Sequence, residues 1–268
     1  MKLTYFDFDK TKNLIEEIFL LTFVEKIPFT STILPIGLPS ISFVYHKKQI
    51  ATYKEKVFPL KSIVLTGQFY NSYTLRVTEK GYTVGISLHP TTLYKLLQID
   101  MFQYYNQHVL LEDIDSELFK ILNPIFLKHK ENISELGASI NKTINSLPIF
   151  KSDKYIKLID TTINIIWEKE GLLNITEVLS KISVSQKTLE NQFKKIVGIT
   201  PGKYIRLWRF LKLMRKYESG KIKLMDLIQM YDYYDHSHFS KDFQLFMNET
   251  PQSYFQKENH LLEKYLKE

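Results

Sequence analysis

The chain has 268 residues, enough for two domains with separate hydrophobic cores, and its 44% hydrophobic and 14% aromatic content is typical of a globular protein. The absence of cysteine excludes a disulfide framework, a thiolate metal site and a cysteine nucleophile. The formal net charge is +7. The longest early apolar stretch, residues 18–24, is much shorter than the roughly 20 residues of a membrane-spanning helix. We therefore expect a cytoplasmic protein with no membrane partner.

Short runs of β-branched and aromatic residues dominate residues 1–113. They lie at 41–45, 62–67, 73–77 and 82–88, and turn residues such as Pro59 and Gly81 separate them. This spacing predicts a β-rich domain, either a small barrel or a sandwich. Residues 14–24 fit a helix or a buried strand equally well.

The hydrophobic period becomes helical after Pro90. Two stripes predict core-facing helices in a connector over residues 114–170: Leu118, Ile121, Leu122, Ile125 and Phe126, then Ile156, Ile159, Ile163 and Ile166. Ser152-Asp153 is the expected N-terminal cap of the second helix, and Gly171 its stop. The connector either dimerises the protein or packs on the first domain.

Positive charge is concentrated beyond the connector, in the last third of the chain. Residues 181–223 contain twelve Lys or Arg and two acids, a net charge of +10, and hold three of the four arginines of the chain. A solvated helical face and a nucleic-acid contact both fit this charge.

Two helix pairs of the same design are joined by a long basic helix over residues 201–217. In the first, Ser185 caps a helix that runs to Val197 and turns Leu189 and Phe193 inward, and Gly198 ends it. In the second, a short helix over 224–230 is followed by a helix from near His236. The second helix is predicted to bury Phe239, Phe243 and Phe246 and to expose Ser237, His238, Lys241, Asp242 and Gln244. Thr200-Pro201 and Thr250-Pro251 restart a helix after each unit.

The pattern resembles the AraC/XylS family of bacterial transcription regulators. The resemblance is carried by Ser185-x-x-x-Leu189-x-x-x-Phe193-Lys194, Gly198-Ile-Thr-Pro201-x-x-Tyr204-x-Arg206-x-x-Arg209-Phe210, Asp235-x-Ser237-x-Phe239-x-x-x-Phe243 and Thr250-Pro251-x-x-Tyr254. It implies an α+β chain: a β-rich sensory or dimerisation domain (1–113), the helical connector, an all-α DNA-binding domain of two helix-turn-helix units (171–258) and a helical tail (259–268).

The chain departs from the family pattern at four positions. Asp232 stands where a turn glycine is usual, although Asp tolerates a left-handed backbone better than most residues. Leu179 and Ile228 replace small residues between the helices of each unit, and Asn191 replaces an Arg of the first recognition helix. The core is therefore expected to be repacked, and the base preference of the family does not carry over to the first unit.

The resemblance implies that both recognition helices enter successive major grooves on one face of double-stranded DNA. By position, the residues expected to read bases are Lys187, Glu190, Asn191, His236, Ser237 and Lys241. Those expected to contact phosphates are Lys194, Lys195, Lys203, Arg206, Arg209 and His238, with a structural ion pair as the alternative for Arg209. RNA polymerase, a small-molecule effector and a second copy of the chain are the further partners to consider.

Two hypotheses describe the function of the first domain. In one it holds a ligand in a pocket lined by Phe43, Tyr45, Phe69, Tyr73 and Tyr82; in the other it only dimerises or binds another protein. Aromatic residues on strands are more often core than pocket.

An enzyme is the competing class. The stretch Gly198-x-x-x-Gly202-Lys203-Tyr204 fails the P-loop pattern in its glycine spacing and in the residue after Lys. His46, His89 and His108 are dispersed, and His236 and His238 face different sides of a helix. We expect no enzymatic activity, no cofactor and no metal site.

Overall fold

The computed structural model describes residues 2–6, 8, 14–24, 27–129, 132–149, 153–220, 222–256 and 266. Its first part is an eight-stranded antiparallel sheet that curls into a half-barrel, and its remainder is helical, so the predicted α+β class is confirmed. The strands are β1 (Lys2–Tyr5), β2 (Ile15–Phe23), β3 (Phe29–Ile33), β4 (Ser40–Tyr53), β5 (Lys56–Thr66), β6 (Tyr73–Val77), β7 (Gly81–Leu88) and β8 (His108–Leu110).

The sheet order is β1-β2-β7-β4-β5-β8, and β6 pairs with both β3 and β4. The four predicted strand runs lie within β4, β5, β6 and β7, apart from Gly67, which follows β5. The ambiguous stretch 14–24 contains a strand, β2, which pairs with β1 and β7. Within β2, Ile18 is fully buried and the neighbouring Glu17 is only partly buried, as expected for a strand with two different faces.

The middle of the chain is helical and covers the sheet. It contains α1 (Thr92–Leu97), a 3-10 helix (Met101–Tyr104), α2 (Leu111–Ile114), α3 (Ser116–Lys128), α4 (Ile133–Ser146) and α5 (Lys154–Glu168). In α3, Leu118, Leu122 and Phe126 are buried, whereas Ile121 is 43% exposed. Phe126 stacks on Phe43 of β4 with ring centroids 4.8 Å apart, so α3 packs on the sheet.

The stripe of α5 is buried at all four predicted isoleucines. Asp153 caps the helix by accepting a hydrogen bond from the Tyr155 backbone N–H, and Gly171 follows its end with φ +75°. The remaining helices are α6 (Ile175–Leu179), α7 (Gln186–Val197), α8 (Pro201–Glu218), α9 (Leu224–Met230), α10 (His236–Met247) and α11 (Pro251–Phe255). The predicted tail over 259–268 lies outside the described residues, except for Leu266.

Helix α5 is joined to α8 by aromatic side chains. The Trp167 indole N–H donates to the Tyr204 hydroxyl at 3.0 Å, and Trp167 stacks on Trp208 at 5.2 Å. Buried residues of the sheet, α3, α5 and α8 form one continuous hydrophobic cluster. Among the described helices, none is both long and apolar enough to cross a bilayer.

Gly171 and Gly220 give a matched test of the α5–α8 packing, because both have a left-handed backbone, with φ +75° and +71°. A Cβ at Gly171 would lie 2.6 Å from the Arg209 backbone nitrogen, whereas a Cβ at Gly220 would meet nothing within 4 Å. We expect Gly220→Ala to lower the free energy of unfolding by about 1 kcal/mol and Gly171→Ala by at least twice that amount. Urea denaturation of the two variants measures the difference. Equal losses would show that α5 and α8 are less tightly packed than described.

Candidate DNA-binding surface

Helix α7 is fixed at both ends by local interactions. The Ser185 hydroxyl accepts a hydrogen bond from the Thr188 backbone N–H at 3.2 Å, and Gly198 ends the helix in a left-handed conformation with φ +98°. Leu189 and Phe193 are fully buried. The preceding α6 begins with a complete capping box between Asn174 and Glu177. The sequence therefore defines the first helix-turn-helix unit locally.

The second unit repeats this design with different residues. The Asp235 carboxylate caps α10 by accepting from the His238 backbone N–H at 2.7 Å, and Asn248 ends α10 in a left-handed conformation. Thr200 and Thr250 cap α8 and α11 in the same way, each preceding a proline. In the turn between α9 and α10, Asp232 has φ +55°, the left-handed conformation that the usual glycine would adopt.

The side chains predicted to read bases lie on the outer sides of α7 and α10. Lys187 and Asn191 are exposed on α7, and Glu190 is half-buried and accepts a hydrogen bond from the Gln186 amide at 2.7 Å. The three on α10 are all exposed: His236, Ser237 and Lys241. Both helices therefore keep a polar face open to a large ligand.

Asp242 was predicted to lie outside, and this was wrong. Its side chain has no exposed surface, and it accepts hydrogen bonds from the Arg206 guanidinium of α8, through Nε at 2.7 Å, and from the Tyr233 hydroxyl at 3.0 Å. The carboxylate favours the charged guanidinium and raises the pKa of Arg206. Arg206, predicted to contact phosphate, already directs its guanidinium to this buried acid, the structural ion pair that we had considered for Arg209.

Arg209 and His238 are both close to Tyr233. The Arg209 guanidinium lies over the Tyr233 ring at 5.0 Å, and its Nε is buried without a hydrogen-bond partner. The half-buried His238 ring lies 5.2 Å from the same ring.

The three lysines predicted to contact phosphates meet aromatic rings of the first part of the chain. Lys194 Nζ lies 3.6 Å from the centroid of Phe102, and Lys203 Nζ lies 5.0 Å from that of Tyr105. The remaining contacts are Lys203 with Tyr70 at 5.2 Å and Lys195 with Tyr94 at 5.5 Å. A hydrogen bond to Tyr94 raises the pKa of Lys195. We call Tyr70, Tyr94, Phe102 and Tyr105 the aromatic cluster.

A second contact holds the end of α10 to the loop between β5 and β6. The Asn71 amide donates to the Leu245 carbonyl at 2.7 Å, and the Ser72 backbone N–H donates to the Phe246 carbonyl at 2.9 Å. The Asn248 amide donates to the Ser72 carbonyl at 2.8 Å. The loop thus satisfies carbonyls in the last turn of α10, which lack partners within their own helix.

The half-barrel encloses a cavity of about 150 Å³. Of the five aromatic residues predicted to line a pocket, Phe69 and Tyr73 line this cavity. For Phe43, Tyr45 and Tyr82 the prediction was wrong. Successive strand residues face opposite sides of a sheet, and these three lie on the side that α3 covers. Phe43 stacks on Phe126, and Tyr45 stacks on Tyr82 at 4.1 Å and donates to the Phe126 carbonyl.

Comparison with known proteins matches both parts of the chain. Residues 179–257 match the family described as Helix-turn-helix domain, and residues 10–110 match the Domain of unknown function (DUF6597). The HTH-type transcriptional activator AarP from Providencia stuartii is 24% identical over 115 residues, which cover 41% of this chain and 85% of AarP.

Among solved structures, an apo form of a ToxT variant from Vibrio cholerae matches with a TM-score of 0.50 at 14% identity. The match covers 89% of this chain and 97% of the ToxT chain. ToxT with a bound unsaturated fatty acid has a TM-score of 0.44 at 16% identity, with 88% and 94% covered. The likeness to apo ToxT extends over both the sheet and the helices, and it concerns the fold.

The paired helix-turn-helix units and these matches define a DNA-binding transcription regulator. Its C-terminal part is a helix-turn-helix domain of the AraC type, as the sequence predicts.

Removal of the Arg206 guanidinium tests the buried pair. Arg206→Ala leaves the Asp242 carboxylate without its cation, and we expect a loss of about 2–4 kcal/mol in the free energy of unfolding. Lys187→Ala, at an exposed position of α7, is the control and should change it by less than about 0.5 kcal/mol. Chemical denaturation measures both variants. A loss below about 1 kcal/mol for Arg206→Ala would contradict a structural role for the pair.

Proposed function

We propose that this protein is a sequence-specific DNA-binding regulator whose helices α7 and α10 read successive major grooves, under the control of a ligand held in the first domain. The single observation that carries the proposal is the open polar face on both helices, each positioned by its own cap and its own buried aromatic residues. We keep the division into a sensory domain (1–113), a connector (114–170) and a DNA-binding domain (171–258), and we propose a cytoplasmic location.

The chemistry of the exposed residues supports base reading. Asn191 suits a bidentate contact with adenine, Lys187 and Lys241 suit guanine, and Glu190 can accept from the cytosine amino group. Lys194, Lys195, Lys203 and Arg209 are proposed to grip phosphates, which orient the domain without reading sequence. Arg206 contributes by holding Asp242 and α10 in place.

Lys241→Ala tests base reading. Lys241 is exposed on the outer side of α10, so its loss should remove roughly 1–3 kcal/mol of discrimination between the preferred site and a mutated site. Lys157→Ala, which removes the same charge from an exposed position of α5, is the matched control. Binding titrations at fixed salt on both DNA duplexes measure the difference. Equal weakening on the two duplexes would make Lys241 a phosphate contact.

Control by the first domain is supported by the contacts of the three lysines with the aromatic cluster. A cation over an aromatic ring is stabilised by about 0.5–2 kcal/mol. The same ammonium groups are less available to DNA phosphates while they remain at these rings. Docking of the two domains and binding of DNA therefore compete for Lys194, Lys195 and Lys203.

The loop from Gly67 to Tyr73 connects the cavity to the end of α10, so a ligand in the cavity can influence the competition between docking and DNA binding. Gly67, Phe69 and Tyr73 line the cavity, while the intervening Asn71 and Ser72 hold the end of α10. Asn71 is also tied to the sheet, because its side-chain oxygen accepts from the Tyr53 hydroxyl at 2.9 Å. A ligand that displaces Phe69 or Tyr73 would move the hydrogen-bonding groups that hold α10. We propose that effector binding changes DNA affinity by this route.

Phe102→Ala tests the docking. The substitution removes the ring 3.6 Å from Lys194 Nζ, and we expect DNA affinity without ligand to rise about two- to fivefold, since 0.5–1 kcal/mol of docking energy is lost. Leu127→Ala, at a side chain of α3 that is 53% exposed, is the control. Fluorescence anisotropy with labelled DNA measures both. Unchanged or weaker binding by Phe102→Ala would contradict the competition.

A further inference from the structure

The cavity of the half-barrel is lined mainly by apolar side chains from β1, β2, β4, β5 and β6 and from residues 33–38, whereas β7 contributes the polar Thr83 and Ser87. A cavity of about 150 Å³ holds a molecule of the size of benzene. The hydrogen-bond partners of the polar lining groups indicate which head group a ligand can carry.

Four of these polar side chains are already satisfied by neighbours in the wall. Gln49 and Thr83 bond to each other at 2.9 Å, and the Ser87 hydroxyl donates to the Glu17 carboxylate at 3.2 Å.

His108 is different. Its Nδ1 bonds to the Thr66 hydroxyl at 2.9 Å, whereas its Nε2 is buried and has no hydrogen-bond partner. The His108 residue is 7% exposed, and the rings of Phe58, Phe69 and Tyr73 lie 4.7–5.3 Å from the imidazole. An unpaired polar atom in such a place costs about 1–3 kcal/mol, and a ligand hydroxyl, which itself loses its hydration on binding, would recover part of this cost.

The charge of the lining argues against an anionic ligand. Burial lowers the pKa of His108 to about 3, so its imidazole is neutral at physiological pH. Glu17 contributes a carboxylate, and none of the described residues that line the cavity is Lys or Arg. A ligand carboxylate would lose its hydration there without gaining a cation.

We propose that the cavity binds a neutral, compact, largely apolar molecule with one hydroxyl group, and that this hydroxyl bonds to His108 Nε2. A hydroxyl both donates and accepts, so it fits either tautomer that the Thr66 contact selects. Phe69 and Tyr73 would surround the apolar body. The inference rests on the proposed effector control, because it names the chemical class of the effector.

Three probes of nearly equal size test the head group: benzyl alcohol, benzoate and toluene. Calorimetric titration of the full chain should give benzyl alcohol an affinity at least tenfold higher than that of benzoate and about threefold higher than that of toluene. In the variant His108→Phe the advantage of the alcohol over toluene should vanish while toluene still binds. If this variant does not fold, nitrogen-15 NMR of the unmodified protein replaces it, and only benzyl alcohol should shift the His108 Nε2 resonance.

The outcomes separate the two proposals. Tighter binding of benzoate, or equal binding of toluene and benzyl alcohol, would overturn the head-group assignment and leave effector control in place. An unshifted Nε2 resonance with bound alcohol would also overturn the assignment. If none of the three probes binds, both the assignment and control through this cavity fail. DNA binding by α7 and α10 is measured separately and is independent of these results.

Discussion

The buried carboxylate of Asp242 constrains the arrangement of α8 and α10. A charge without exposed surface must be met by donors, and these come from Arg206 on α8 and from Tyr233 in the turn before α10. Helix α8, the turn and helix α10 therefore meet at one point, which fixes the orientation of α10 relative to α8. Helix α7 packs near the same end of α8, through the tilted rings of Phe193 and Tyr204. The two helices that we propose to read DNA are therefore both positioned by contacts with α8.

The helix-turn-helix units were predictable because their signals are local. Caps such as Ser185, left-handed stops such as Gly198 and the period of Leu189 and Phe193 each act within a few residues, and the structure has all of them. Asp242 shows where this reasoning fails. Its spacing from Phe239 and Phe246 places it on the inner side of α10, yet its charge argued for solvent. The inward position and the charge of Asp242 are compatible only because Arg206, 36 residues earlier in the chain, pairs with the carboxylate.

The sequence predicted a β-sheet, but it could not predict which aromatic side chains line the cavity and which pack under a helix. Alternation shows that Phe43 and Ser42 face opposite sides, but it cannot show which side a helix covers. Here α3 covers the side of Phe43, and Ser42 lines the cavity. The contacts of Lys194 and Lys203 with the aromatic cluster were equally hidden, because they join residues about a hundred positions apart. Charge density indicated a nucleic-acid partner and gave no sign that the same lysines have a second partner within the chain.

The hydrogen bonds between the 67–73 loop and the last turn of α10 have a thermodynamic consequence. Suppose that a ligand in the cavity weakens these hydrogen bonds and thereby raises the affinity of the protein for DNA. Linkage then requires bound DNA to raise the affinity for the ligand by the same factor. A promoter fragment would then act as a positive effector of the cavity. The coupling free energy can be measured by titrating the ligand with and without the DNA site, or by titrating the DNA with and without the ligand.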